Sequence, residues 1–195
     1  MVTAVMGALF RRRRLPADRR PPLVPEERVV AWAFAGGPDV VVATNLGLWL
    51  PGRASRLGWH EIHKVTWSGP QLTVVPAVTV SDGPDHSVVA DGPDHSVVAD
   101  GPDYSVVADA PAVSFPLLDP GRVPEQVRTR VNRSIAYTAH HPLPAGGGVR
   151  VVARRVPGVD GLRWTVRYDA GVDPSAPEVA AATADLVAYG RRGLG

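Results

Sequence analysis

The chain contains no cysteine. That absence excludes disulfides, a disulfide-linked partner, a thiolate nucleophile and any Cys-ligated zinc or iron–sulfur site. Long apolar runs are missing as well. Even VVATNLGLWL is short and carries Asn45, well below the roughly 20 residues a helix needs to cross a bilayer. Lys64 is the single lysine among 21 basic residues, while Ala, Gly, Pro and Val abound. This is the residue usage of a GC-rich genome, so Arg in place of Lys carries little chemical meaning. There is no G-x-S-x-G, no P-loop and no G-x-G-x-x-G, and hence no sequence signature of a nucleophile elbow or of phosphate cradling. The glycine run AGGGV (145–149) stands between a predicted helix and a predicted strand, the wrong order for holding phosphate at a helix start.

What is present fits one domain with a real core plus an extension, at 195 residues. A reduced, cytoplasmic protein is the expectation. The amino terminus MVTAVMGALFRRRR places its Arg run after the apolar stretch, the reverse of a signal peptide, and Met6 is an alternative start. Residues 1–26 read as a disordered basic tail and a Pro-rich linker. Residues 1–20 hold six Arg against Asp18, and Arg11, Arg12, Arg13 and Arg14 are candidates for contact with nucleic acid or an anionic membrane. Charge is uneven elsewhere too. Residues 82–109 contain seven Asp and neither Lys nor Arg, so a whole-chain net charge of +2 leaves +9 for the rest.

From residue 27 onward, short apolar runs alternate with turn residues. RVVAWAFA (28–35) reads as a strand closed by the turn GGPD, and VVVAT and LGLWLPG follow as two short strands around a bend at Asn45. In WHEIHKVTW, alternation puts Trp59, Glu61, His63, Val65 and Trp67 on one face, taken as the buried one for its aromatic content. After a turn at 68–70, Leu72, Val74, Val78 and Val80 share a face, and Pro76 between them marks an edge or a bulge. APAVSFPLLD is a further strand. Val123, Val127, Val131 and Ile135 then recur every four residues, predicting a helix with Asp119 as N-cap and Pro142 beyond its end. VRVVARRVPG and LRWTVRYDAG form a hairpin in which Leu162, Trp164, Val166 and Tyr168 face the core and Arg163, Thr165, Arg167 and Asp169 face water. A last helix through APEVAAATADLVAYGRR takes Asp173 or Ser175 as its cap.

Four histidines come into question for chemistry. His60 and His63 enclose Glu61, but they stand three apart rather than four as in H-E-x-x-H, and on a strand they point to opposite faces, so no metal site is expected. His140 and His141 follow the predicted helix, in a helix-end or loop position, with no acidic residue near them in sequence. The five Trp all fall in strand candidates, where core packing accounts for them.

Residues 82–109 are one nonapeptide, DGPDHSVVA, written three times with His changed to Tyr at Tyr104. Calcium-binding nonapeptides share the period but need paired glycines, whereas each unit here has one Gly followed by Pro. Near-identity points to tandem duplication at the DNA level. The segment is expected to be a lengthened acidic loop between two hairpin strands, tolerated because loop-closure entropy grows slowly with length.

The succession VVVATNLGLWL, RLGWHEIHKVTW, further strands and a helix, over residues 27–137, resembles bacterial pleckstrin-homology-like domains, and the whole chain resembles uncharacterised actinobacterial proteins, consistent with its GC-rich residue usage. The positions that carry the resemblance are Thr44, Leu48, Trp59, Ile62 and Val65, which it implies are core and turn positions. A buried Ile62 conflicts with a buried Trp face unless the strand is buried on both sides or bulged. Lipid-binding members carry basic residues in the first hairpin loop, and AGGPDV has none, so phosphoinositide recognition does not transfer. With the resemblance, the expected fold is α+β: an antiparallel β meander making a partly open PH-like barrel closed by a helix, then a β-hairpin and a C-terminal helix, as a single domain over 27–195 with its acidic insertion at 82–109. The expected function is a non-catalytic binding or scaffolding module without a cofactor, its partner a protein. The alternatives are a small hydrolase or transferase using His140, His141 or His63, and contact with nucleic acid or an anionic membrane through the Arg-rich tail.

Overall fold

The β-branched and aromatic runs become strands and the turn residues separate them. A computed structural model describes residues 14–81 and 103–194; Arg11, Arg12, Arg13 and most of the expected acidic loop lie outside them. The first sheet is a four-stranded meander of β1 (Val29–Phe34), β2 (Val40–Thr44), β3 (Gly47–Trp49) and β4 (Leu57–Gly58). A 3-10 turn at Trp59–Glu61 leads into β5 (Ile62–Ser68), which pairs with β6 (Gln71–Ser81). Then follow β7 (Ser105–Asp109), β8 (Val113–Pro116), helix α1 (Val123–Ser134), β9 (Ile135–Pro142), β10 (Gly148–Arg154), β11 (Arg163–Tyr168) and helix α2 (Pro177–Arg192). The second sheet has seven strands in the order β5-β6-β7-β11-β10-β9, with β8 on β6. All its pairings are antiparallel except that of β7 with β11. The class is α+β, with antiparallel sheets, a curled half-barrel sheet and two helices. Among the described residues no helix is long and apolar enough to cross a membrane.

Two apolar clusters organise these elements. In the first, α1 lays Val123, Val127 and Val131 against Ala31, Val41, Leu48, Ile62, Leu72 and Val74. The four-residue period of the valines puts them on one helix face, as the sequence predicts. In the second, α2 contributes Val179 and Val187 to a group that includes Val149, Val151, Trp164 and Val166 from the β10–β11 hairpin. The predicted inward and outward residues of that hairpin hold.

The conflict over β5 resolves through a bulge. Register shifts between Ile62 and Lys64, so Ile62 and Trp59 are buried while Val65 and Trp67 remain half-buried on the inner face. Of the positions the resemblance carries, Thr44, Leu48, Trp59 and Ile62 are buried.

Several expectations fail, each for a physical reason. The segment 105–109 is a strand rather than loop, because β6 and β11 offer it a ladder on both edges. Tyr104 and Ser105 are buried with it. Val78 and Val80, of which only a shared face with Leu72 and Val74 was expected, are 47% and 65% exposed, since the first cluster takes no residue of β6 beyond Val74 and the second takes none. Pro76 sits opposite the β5 bulge, and its carbonyl accepts the Ala110 N–H at 2.9 Å. Helix α1 stops at Ser134. Ile135 opens β9, so Pro142 closes a strand, and His140 and His141 lie on that strand rather than in a loop. Arg122, not Asp119, occupies the α1 N-cap position, and Asp119 holds a left-handed φ of 49°. Ala176 is the α2 N-cap residue; Asp173 instead accepts from the Ser175 N–H and hydroxyl at 2.9 and 2.6 Å.

The entry to the first sheet is tied by one buried carboxylate. Glu27 accepts hydrogen bonds from the Thr44 hydroxyl at 2.7 Å, the Trp49 indole at 2.9 Å and Arg56 at 2.7 Å. Burial opposes its ionisation, but the Thr44 and Trp49 hydrogen bonds and the Arg56 charge outweigh it, so the carboxyl sits below its ordinary range. Glu27→Ala leaves these donors without their acceptor and is expected to cost roughly 2–4 kcal/mol in urea unfolding. A loss within the range of neutral surface changes, about 0.5 kcal/mol, contradicts the hub. Deleting residues 82–99 spares β7 and is expected to move the melting temperature by only a few degrees, whereas deleting 82–109 removes β7 and the cooperative transition with it.

Candidate functional site

The curl of the seven-stranded sheet brings strands from opposite ends around one cleft of about 300 Å³. Its walls come from β5 (His63, Lys64), β7 (Val107, Asp109), β11 (Thr165, Arg167), β10 (Arg150, Val152, Arg154) and β9 (Ile135, Thr138). Alternation explains this set. On β10, Val149, Val151 and Ala153 point into the second cluster, so Arg150, Val152 and Arg154 face the other way. On β11, Thr165 and Arg167 are the outward partners of Trp164 and Val166. The register sets Arg150 beside Arg167 and Val152 beside Thr165.

Four cationic side chains and a single carboxylate therefore share the cleft. Arg167 neutralises that carboxylate: its Nη1 lies 2.7 and 2.8 Å from the two Asp109 oxygens. His63 Nδ1 lies 2.7 Å from Asp109 Oδ1. The His63 hydrogen bond and Arg167 hold the Asp109 carboxyl below its ordinary range. Burial, together with the charges of Arg167 and Arg154, lowers the pKa of the His63 imidazole against the pull of Asp109. A neutral His63 donating from Nδ1 to an ionised Asp109 satisfies both shifts, and it leaves Nε2 an acceptor.

Arg154 is the unusual member. It is only 6% exposed, and burial lowers its pKa, yet a guanidinium stays protonated. Its Nη1 donates to Ser134 Oγ at 2.9 Å, and Ser134 in turn donates to the Val131 carbonyl at 2.7 Å. Among the described residues no carboxylate lies within ion-pair distance of Arg154, nor of Lys64 or Arg150. The last turn of α1 thus supports the cation without neutralising it.

The predicted site residues divide. His63 lines the cleft; His140 and His141 do not. His140 pairs instead with Asp169, Nε2 to Oδ2 at 3.0 Å, above Gly148, where a Cβ would come within 2.6 Å of the imidazole and 2.8 Å of the carboxylate. Folding therefore supplies two histidines with carboxylates 46 and 29 residues away, which sequence proximity does not reveal. Arg14 is exposed, and Arg11, Arg12 and Arg13 are outside the described residues. Among the described residues no three His, Asp or Glu side chains group as metal ligands. Sequence reading missed Arg150, Arg154 and Asp109, although the outward alternation on β10 and β11 is the signal that locates the basic wall.

Protonation of this region has a defined sign. Burial lowers the pKa of both His60 and His63, so each binds a proton less readily folded than unfolded. Stability is therefore present above the ordinary histidine value of about 6.5 and is lost as pH falls through it. The melting temperature should drop between pH 7.5 and 5.5 and the drop should be largely absent in H60Q/H63Q. A flat native profile over that interval contradicts the assignment.

Comparison with protein-family models, with curated proteins and with solved structures returns no match.

Proposed function

We propose that the chain is a non-catalytic binding module, PH-like in organisation, that takes an anionic group of its partner into the cleft of the curled sheet. The observation that carries this reading is Arg154, a buried guanidinium in the cleft wall whose only side-chain hydrogen-bond partner among the described residues is a serine hydroxyl. Holding an unneutralised cation out of water costs several kcal/mol. A bound carboxylate or phosphoryl oxygen returns that cost, and guanidinium geometry suits both. Lys64 and Arg150 add positive potential from the facing walls, while Val107, Val152 and Ile135 supply apolar contact around the anion. Binding on this face rather than in the first hairpin loop also agrees with the lack of basic residues in AGGPDV.

What supports binding over hydrolysis or group transfer is the hydrogen bonding of His63. Its partner is Asp109, and among the described residues no serine or threonine hydroxyl is bonded to it. Asp109 is in turn held by Arg167. The pair orients the cleft wall and activates no nucleophile.

The test separates a functional from a structural arginine. Arg154→Met keeps the side-chain volume and removes the buried charge, so unfolding stability should be unchanged or higher. Titration with inorganic phosphate at constant ionic strength, followed by backbone amide shifts, should saturate with changes on β5, β7, β10 and β11. R154M should weaken that binding roughly tenfold or more, the effect of losing about 1.4 kcal/mol. Non-saturating shifts scattered over the surface, or equal binding by R154M, defeat the proposal.

A further inference from the structure

Strand β7 is the last third of the threefold repeat, and it is built into the protein. Asp103 pairs with Arg191 of α2, Nη1 to Oδ2 at 2.5 Å. Ser105 and Val106 stand in parallel register with Thr165 and Val166, while Val107, Ala108 and Asp109 pair with Thr79, Val78 and Ala77 of β6. Asp109 and Val107 line the cleft. The sequence contains every one of these residues three times. Asp94, Ser96, Val97, Val98, Ala99 and Asp100 repeat the set nine positions earlier, and Asp85 to Asp91 repeat it again.

The one difference among the copies is the residue at Tyr104, which is His86 and His95 in the other two. Tyr104 is 6% exposed and belongs to the second apolar cluster, beside Trp164, Val149 and Val151. Its hydroxyl is hydrogen-bonded to Tyr168, whose own hydroxyl donates to Thr183 Oγ1 at 3.1 Å; Thr183 then donates to the Val179 carbonyl at 2.8 Å. Burial and the Tyr168 contact raise the Tyr104 pKa to about 12. A chain of hydroxyls is thus closed by the ring that reaches it. An imidazole at the same backbone position is shorter and more costly to desolvate, and a donor or acceptor left open in that chain is penalised.

We propose that Tyr104 is the register lock of β7, selecting the third copy of the nonapeptide for the place between β6 and β11. A second selector exists. Only three residues, Ala110, Pro111 and Ala112, join β7 to β8, and Ala110 is bonded to Pro76. Using the second copy would insert nine residues there and remove nine from the other connection. Chain entropy changes slowly with such lengths, so the link selects weakly and the buried ring supplies most of the choice. The shifted registers would present the same Val and Asp to the cleft, so binding alone does not discriminate among the copies.

The absence of cysteine makes the register readable by cross-linking. Val78 faces Ala108 in the ladder, and Ala99 is the matching position of the second copy. The pair V78C/A108C should form a disulfide in the native background, with V78C/A99C at least roughly tenfold less populated. H95Y, made in the V78C/A99C chain with Tyr104 intact, gives the second copy the same seven residues as the third and should raise that cross-link to a level comparable with V78C/A108C. Y104H should raise it as well. H95Y keeps the native strand available and so tests the proposal even if Y104H fails to fold. Efficient V78C/A99C cross-linking without H95Y, or no rise with it in a folded protein, overturns the lock.

Discussion

One strand has to join both halves of the seven-stranded sheet, and the layout of the molecule follows from that constraint. At about 3.3 Å per residue, the eleven residues of β6 outreach the first cluster, which takes only Leu72 and Val74 from it. Leu72 and Val74 in its first half are fully buried beneath the first cluster, with β5 on one edge and β8 on the other. Past Pro76 the strand loses β5 and gains β7. Proline has no N–H to give a ladder, and it stands where one neighbour is lost and the β5 bulge accommodates the change. From that handover the rest of the second sheet extends through β7 to β11, β10 and β9, curling so that β9 comes back to face β5. The cleft is the space this curl leaves, which is why its lining comes from both ends of one sheet.

Two buried charges show how differently the molecule treats such groups. Glu27 receives a hydroxyl, an indole N–H and a guanidinium; its charge is compensated within the fold and fastens the first sheet. Arg154, equally buried, donates to a serine oxygen and has no counter-charge among the described residues. A compensated charge explains structure. An uncompensated one has no structural explanation of that kind, because apolar replacement of the same volume would be at least as stable, and it is the charge that the proposed anion would neutralise. Arg167 and Asp109 stand between these cases as a half-exposed pair, worth little to stability but able to hold His63 in place.

The sequence made some of this legible and hid the rest for identifiable reasons. Period-two alternation located the meander and the β10–β11 hairpin, including the outward Thr165 and Arg167 that became a cleft wall. The four-residue valine period located α1 but overran it: Ile135 continues the pattern by chance and belongs to β9, so His140 and His141 were placed off the sheet. Alternation on β6 gave a shared face and no more: Leu72 and Val74 are buried and Val78 and Val80 exposed, since periodicity reports which residues share a face and not whether anything covers it. The carboxylate partners of His63 and His140 were invisible because they are supplied by strands far away in sequence. The buried carboxylate at Glu27 was masked by its position beside a Pro-rich linker.

Near-identity of the copies suggested a loop under no structural demand, and the strand at 105–109 reverses that expectation for the third copy. Copies that meet the same surroundings have no reason to diverge, while a copy packed into a core answers to neighbours the others lack. Among the described residues of the repeat, the position that differs from its two counterparts is also one the core encloses: Tyr104, against Trp164 and within hydrogen-bond reach of Tyr168. The positions that do not differ are those whose demands a generic strand meets: a small residue at Ser105, valines at 106 and 107, and a carboxylate at Asp109 for Arg167. A single substitution in twenty-eight residues thus marks where tertiary structure imposes a requirement on a sequence that duplication alone would have left uniform.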